Sequence, residues 1–220
     1  MKKLVLIGGG GHGKVVLDVM RAQGEYELAG IGDDKYTHSF RQDGILHGPV
    51  ADMAELLRDD DCRLFIAIGN NRTRRAVMER IGYSESRYAV LIHPRATLGS
   101  GVTIGGGSVV MPGAVINHGA RIGAQCIINT GAVVEHENVL GSFVHISPTA
   151  ALAGDVTVGD GTHIGLGAKV IEGLTIGGWT TLGAGAVAVH DIPAQCTAVG
   201  VPAKPIKYAD QPDQLAQRRA

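Results

Sequence analysis

The sequence predicts a parallel β-helix built from six-residue rungs, preceded by a small α/β domain. Two observations carry this reading. Between Leu98 and Leu182, fifteen aliphatic residues fall six apart without a miss. Upstream, a glycine-rich turn at Gly8–Lys14 joins an apolar run to an amphipathic stretch. The composition changes near residue 93: most charged residues lie before it, and glycine, alanine and valine dominate after it. The expected division is residues 1–92, an α/β domain; 93–207, the β-helix; and 208–220, a C-terminal tail.

In the first domain, Lys3 to Ile7 reads as a buried parallel strand. The turn Gly-Gly-Gly-Gly-His-Gly follows, then a helical pattern through Val15, Val16, Val19 and Met20. A second strand is expected near Tyr26 to Ile31, ending at Gly32-Asp33-Asp34. A third runs from Arg63 to Ile68 and ends in Gly69-Asn70-Asn71. A helix from Arg72 to Ile81 and a fourth strand from Tyr88 to Ile92 complete the domain. Alternating strands and helices argue for a parallel sheet with a ligand at the strand C-termini.

Gly8, Gly10 and Gly13 satisfy G-x-G-x-x-G between strand and helix, and Asp33 lies where an acid would meet a ribose hydroxyl. On motif alone this is a dinucleotide site such as that for NAD. About ninety residues, however, make only a βαβαβ half of a Rossmann fold, so a nucleotide or nucleotide-sugar is the better ligand. The same stretch matches G-x-x-x-x-G-K, but Val15 stands where a P-loop needs Ser or Thr for magnesium, which argues against ATPase chemistry.

In the second part, neither the 3.6-residue helix nor the two-residue strand gives a period of six. A parallel β-helix does, each rung sending one aliphatic side chain inward. Small residues such as Ala114, Ala120, Cys126 and Ala132 recur two before the aliphatic position. With three rungs per coil, residues eighteen apart stack. Two histidine columns follow, His118 over His136 and His145 over His163, with Asn117 over Glu135. A prism without inserted loops has no cleft of its own, so a pocket must come from the first domain or from a neighbouring subunit. The simplest assembly is a symmetric homotrimer. His136 lies between Glu135 and Glu137, and a carboxylate can hold an imidazole in the tautomer a general base needs. Some zinc-dependent β-helix hydratases pair histidines five apart; no such pair occurs here, and no metal is expected.

Twenty Lys+Arg against twenty-one Asp+Glu advertise no basic face, so nucleic acid is not an expected partner. Cys62, Cys126 and Cys196 have no metal-type spacing and suit a reduced, cytoplasmic setting. The start, MKKLVLIGGGGHGK, has an apolar run of only four residues before its glycines. Neither a signal peptide nor membrane insertion is expected.

Four motifs together carry a resemblance: Gly8–Lys14 (GGGGHGK), Ala67–Asn71 (AIGNN), Asn129–Glu137 (NTGAVVEHE) and Gly200–Lys204 (GVPAK). The chain resembles the sialic-acid O-acetyltransferase-like group of left-handed β-helix acyltransferases, especially the PglD-type N-acetyltransferases of nucleotide-4-amino-sugars. The resemblance runs to about Lys207. It implies a left-handed helix, a homotrimer, and acetyl-CoA as co-substrate in the groove between prisms. His136 matches the family's general base and Glu137 its orienting carboxylate. His145, Gly154, Ile164, Gly165 and Lys204 fall in the implied acetyl-CoA site. Gly10, Gly11, His12, Gly13, Asp33, Asp34, Lys35, Asn70, Asn117 and His118 fall in the implied nucleotide-sugar site. The chain departs from the pattern at His118 and at Ser147-Pro148-Thr149.

The implied reaction is acetyl transfer from acetyl-CoA to the amine of a nucleotide-linked 4-amino-deoxysugar, for bacterial glycan or polysaccharide biosynthesis. Three alternatives stand beside it: O-acetylation of sialic acid or another sugar hydroxyl, a nucleotide-binding regulator or scaffold, and an NAD-dependent enzyme.

Overall fold

The computed structural model describes residues 1–209. The first domain contains β1 (Lys2–Ile7), α1 (Gly11–Gln23), β2 (Tyr26–Gly32), β3 (Phe40–Gln42), β4 (Ile45–Gly48), β5 (Cys62–Ile66) and α2 (Asn71–Ile81). Its sheet has the order β3-β4-β2-β1-β5, with β1 parallel to both neighbours. Alternation along β1 divides its side chains between two cores. Leu4 and Leu6 pack with Val16, Val19 and Met20 of α1. Val5 and Ile7 pack with Met53, Leu57 and Tyr88, against which Val77 and Ile81 of α2 lie. Both helices stop on a left-handed glycine, Gly24 and Gly82, whose N–H groups close onto Met20 O and Met78 O.

Two elements differ from expectation. β3 and β4 form an antiparallel hairpin that the sequence reading missed. Its turn is Asp43-Gly44, both at positive φ (51° and 80°), which is the geometry that pairs such short strands. The fourth strand does not join the α/β sheet. Tyr88 makes only an isolated bridge to Leu64, and β6 (Leu91–Ile92) pairs instead with Val109–Val110. Ile92 lies six before Leu98 and so already obeys the hexapeptide period; it is the first rung.

From Leu91 to Ala188, two-residue strands recur every six residues and stack into three sheets; with the longer strands Cys196–Val199 and Lys204–Tyr208 added to the first, these have eight, six and five strands. Val115 pairs with Val133 and Val133 with Ala151, in parallel, so one coil is eighteen residues. The aliphatic column (Val110, Ile116, Ile128, Val134, Ile146, Ile164, Ile176, Leu182) and the small column (Ala114, Ala120, Cys126, Ala132, Ala150, Ala168, Ala186) are buried together as one core. Burial lifts the Cys126 thiol to about 12, consistent with an inert core residue. Cys196–Val199 and Lys204–Tyr208 close the far end as an antiparallel hairpin. It extends one residue beyond the expected boundary at 207. The rest of the expected tail, from 210 on, lies outside the described residues.

The outward side chains of the eight-stranded face decide where the α/β domain sits. Leu91, Val109 and Ile127 stack in register and are buried in the cluster that holds Leu4, Leu6, Val16 and Met20. The same column continues as His145, His163 and Thr181. Among the described residues, no helix is long and apolar enough to cross a membrane.

Each rung depends on its inward aliphatic. Ile146 is fully buried. Ile146→Ala is expected to lower unfolding stability by about 2–5 kcal/mol, read from urea denaturation. A loss well under ~1 kcal/mol would mean that the coils can collapse around the gap.

Candidate active site

The first half of the site is built at the C-terminal ends of β1 and β5. Gly8 leaves β1 at φ 104°, and a Cβ there would lie 2.9 Å from Ala67 O. A Cβ on Gly13 would collide with Gly8 O, so the strand and α1 can pack this closely only without side chains. By contrast, a Cβ on Gly10 or Gly11 would meet nothing. These two glycines leave room above the start of α1, in a cavity of about 380 Å³ lined also by His12, Asp33, Gly69 and Arg80.

Asp33 is more engaged than a free ribose acceptor would be. Its carboxylate accepts from Gly9 N (2.8 Å) and Lys35 N (3.1 Å), and Lys35 Nζ stands 3.4 Å away. Partial burial pushes this carboxyl upward, but those hydrogen bonds and the ammonium outweigh it and hold Asp33 below the usual carboxylate range. Asp34 pairs with Arg80 at 2.6 Å.

His12 comes from the first turn of α1. Its Nε2 is buried without a hydrogen-bond partner among the described residues. Burial, aided by the nearby Arg74 charge, lowers its pKa to about 4. On the other side of Gly69, a second cavity of about 410 Å³ lies between the N-cap Asn70 with Asn71 and Arg72 of α2 and His145, His163 and Trp179 of the prism. The His145 and His163 rings stack at 4.8 Å. Asn129 Nδ2 lies 3.1 Å from His145 Nε2, and Ser147 Oγ lies 2.7 Å from His163 Nε2. Burial first, then the neighbouring His163, Arg74 and His12, lowers His145 to about 3. His163 is lowered by burial and by Arg74.

The second half occupies a different corner of the prism, between the strands Val133–Val134 and Val139–Leu140. His136 projects there, with its side chain 57% exposed and Nδ1 3.2 Å from Glu137 Oε2. Glu137 takes a left-handed φ of 60°. The buried Asn138 fastens the corner from inside by donating to Glu135 O (2.7 Å) and Ala153 O (2.8 Å). Gly154 lies directly under the His136 ring: a Cβ there would come within 2.5 Å of Cε1 and Nε2. On the neighbouring coil, Asn117 Nδ2 donates to Glu135 Oε2 (2.8 Å) and His118 Nδ1 lies 2.9 Å from Ser100 Oγ.

The predicted residues therefore fall into two groups within one chain. Gly10, Gly11, His12, Gly13, Asp33, Asp34, Lys35, Asn70 and His145 converge at the domain junction. Asn117, His118, His136, Glu137 and Gly154 share the other corner. Ile164 is fully buried in the core and Gly165 is buried beside Leu182 O, so their side of any ligand contact is backbone. Lys204 stands exposed on the terminal hairpin, several coils from His136. Sequence reasoning did not single out Asn129, Asn71, Arg74 or Trp179. Of these, only Asn129 and Asn71 lay inside quoted motifs. Among the described residues, no three His, Cys, Asp or Glu side chains cluster as a metal site would require.

Comparison with known proteins adds the following. Residues 3–81 match the PglD N-terminal domain family. Over 112 residues the chain is 43% identical to UDP-N-acetylbacillosamine N-acetyltransferase of Bacillus subtilis (strain 168); the match takes in 50% of this chain and about half (52%) of that one. The acetyltransferase domain of PglB from Neisseria gonorrhoeae FA1090 superposes with a TM-score of 0.80 at 40% identity, covering 93% of this chain and 100% of that one. PerB from Caulobacter crescentus, solved in complex with CoA and GDP-perosamine, gives a TM-score of 0.83 at 42% identity, covering 93% and 97%.

The depressed histidines set a pH dependence of stability. In the unfolded chain His12 and His145 take up protons near their ordinary value of 6.5; in the folded chain they do so only near 4 and 3. As pH falls below about 6.5 the unfolded state binds protons that the folded state refuses, so stability is lost progressively down that window. The urea midpoint is expected to fall from about pH 6.5 toward 4, and His145→Gln to flatten part of that fall. An identical slope in wild type and variant would show that His145 is not held neutral.

Proposed function

The chain belongs to the PglD-like left-handed β-helix acetyltransferases, and on that premise we propose that it transfers the acetyl group of acetyl-CoA to the amine of a nucleotide-linked 4-amino-deoxysugar. The observation that carries this reading is the pairing of a nucleotide-sized cavity on a glycine turn with a His–Glu pair on a β-helix corner. The family's β-helix gives the same pairing its meaning: solved relatives at about 40% identity span nearly the whole chain.

Each group of residues then has a role. The open start of α1 at Gly10 and Gly11 receives the diphosphate, favoured by the helix N-terminus. Asp33 and Lys35 brace that turn, and Asp34 with Arg80 lies at its mouth toward the nucleoside. His145, held by Asn129, stands on the wall toward the sugar and thioester. Asn117 and His118 form the neighbouring wall. The sugar amine attacks the thioester carbonyl carbon. His136 Nε2 accepts the proton that the amine sheds, and Glu137 orients the ring through Nδ1. The C–S bond breaks as the tetrahedral centre collapses, and the proton leaves with the CoA thiolate. Gly154 packs under the imidazole, so its backbone N–H is the donor we assign to the oxyanion. Both substrates share one groove, and no covalent enzyme intermediate is required. Lys204 and the backbone at Ile164 and Gly165 are assigned to the CoA arm.

The test is turnover with a panel of nucleotide amino-sugars, their hydroxyl counterparts and NAD. Acetylation of an amino-sugar alone supports the proposal; turnover of hydroxyl sugars alone selects the O-acetyltransferase. A positioned base contributes roughly 10²–10⁴-fold. His136→Ala is therefore expected to lower kcat by about that factor with little change in KM for acetyl-CoA, and Glu137→Ala to cost less. Near wild-type kcat in His136→Ala would remove the assigned base.

We assign a cytoplasmic homotrimer. The outward residues of the six-stranded face include Val115, Val133, Ala151 and Val187, all only partly exposed. Those of the five-stranded face include Thr103, Arg121, Thr157 and Thr175, all exposed. The apolar stretch of that column, Val115, Val133 and Ala151, is bounded by the exposed Thr97 and Lys169, and we assign it as a contact surface that cyclic symmetry closes without leaving an edge. Such an assembly would bring His136 of one copy toward the domain junction of the next. The cytoplasm suits the substrates and three free, buried cysteines. Light scattering is expected to report three chains, and Val133→Asp to dissociate them with loss of activity. An active monomer would overturn the shared site.

A further inference from the structure

One buried side chain joins the two domains and has no part in the scheme above. Arg74, in α2, is only 1% exposed, and no carboxylate is among its hydrogen-bond partners. Its Nε donates to Gln125 O (2.9 Å). One terminal nitrogen donates to Ile68 O (2.7 Å) and Gly69 O (3.2 Å). The other donates to Asn71 Oδ1 (2.8 Å) and Phe143 O (3.1 Å). A guanidinium carries five N–H donors, and these contacts use all five.

The acceptors explain what this fork does. Gln125 and Phe143 sit eighteen apart, at the same prism corner on successive coils, both in the left-handed conformation (φ 58° and 61°). Asn71, held by Arg74 through its oxygen, turns its Nδ2 to Gly161 O (3.1 Å) and Thr162 O (3.3 Å) on the coil after. The start of α2 thus grips three consecutive coils. The remaining arm of the fork holds Ile68 and Gly69. Both line the nucleotide cavity, and Gly69 also lines the cavity beside His145 and His163.

We propose that Arg74 is a positioning residue for the acetyl transfer: it fixes the Ile68–Gly69 wall of the nucleotide cavity at a set height over His145 and His163, so that the nucleotide-sugar enters a preformed junction rather than a hinge. The identity of that substrate rests on the function proposed above; the positioning does not.

The charge has its own consequence. The titratable groups around Arg74 are His12, His145 and His163, from α1 and from two coils of the prism, together with the Cys126 thiol. With no carboxylate bonded to it, the buried cation opposes protonation of all three rings. They stay neutral, and each keeps one nitrogen that can accept a hydrogen bond. A lysine would retain the charge but has three donors at a single point, too few and too compact to span carbonyls from two domains.

The test uses Arg74→Lys, Arg74→Gln and Asn71→Ala in the full chain, with steady-state kinetics, imidazole titration by NMR, and amide exchange over 68–71. In Arg74→Lys, kcat/KM for the nucleotide amino-sugar is expected to fall roughly 10- to 100-fold while KM for acetyl-CoA stays near wild type. Asn71→Ala should move the same parameter in the same direction by less, and both should speed exchange at Gly69 and Asn70. Arg74→Gln should in addition let His12 and His145 titrate closer to 6.5. Folded Arg74→Lys and Asn71→Ala proteins with wild-type kinetics and exchange would overturn the proposal. Should neither Arg74 variant fold, Asn71→Ala decides by the same two readouts. Should the wild type acetylate no amino-sugar, the functional reading fails by itself; exchange at 68–71 in Asn71→Ala then decides the positioning role, unchanged exchange overturning it.

Discussion

Everything in this molecule depends on the eighteen-residue coil. Because Val115, Val133 and Ala151 lie directly over one another, each outward position becomes a column, and a column records what lies against it. On the eight-stranded face the column reads Leu91, Val109, Ile127, His145, His163, Thr181. Its apolar part is covered by α1 and β1, each such side chain contributing about 1.5–3 kcal/mol on burial. The change to imidazole comes where that cover ends and a cavity opens. The α/β domain is thus docked by the prism's own periodicity, and the junction falls where the column turns polar.

The same periodicity explains which features were readable in advance. The rungs were legible because the aliphatic column from Leu98 to Leu182 takes no polar residue, whereas the small column admits hydrogen-bonded ones such as Ser108, Asn138, Thr162 and Thr180. Carried one step back, the period also assigns Ile92, which local strand-like composition had attached to the wrong sheet. The β3–β4 hairpin escaped because its strands are only three and four residues long and the first is wholly exposed, leaving Asp43-Gly44 as the main signal. Among site residues, His136 and Asp33 announced themselves by flanking groups and spacing. Asp33 nevertheless spends its carboxylate on Gly9 and Lys35, a use that spacing cannot distinguish from a ribose contact. Arg74 was illegible for a general reason. An arginine on a short, charged helix reads as solvent-facing, and its two prism acceptors, Gln125 O and Phe143 O, lie 51 and 69 residues away.

The two histidine sites use one residue type in opposite surroundings. His12, His145 and His163 stand in a part-buried junction beside an arginine with no carboxylate bonded to it. His136 stands in the open beside a carboxylate. Burial and a like charge penalise the imidazolium at the first three. The fold sorts the rings by which side of the prism each coil presents, without any inserted loop.

That sorting bears on which ring the proposed reaction can use for proton work. A general base must hold the proton it takes, at least until the leaving group claims it. A ring whose conjugate acid has a pKa of about 3, as at His145, returns a proton to water at neutral pH far too readily to serve. Its geometry agrees, since Asn129 Nδ2 donates toward Nε2, which must then be the unprotonated nitrogen. In the proposed reaction His145 is therefore assigned as a hydrogen-bonding wall. His136 differs in its surroundings. Its Nδ1 faces Glu137 and its Nε2 faces the space over Gly154, where no side chain intrudes. The absence of a Cβ at Gly154 is what lets the ring lie there at all. In the proposed reaction the amine reaches Nε2 from the open side of that corner, the side the proposed assembly closes with a second copy.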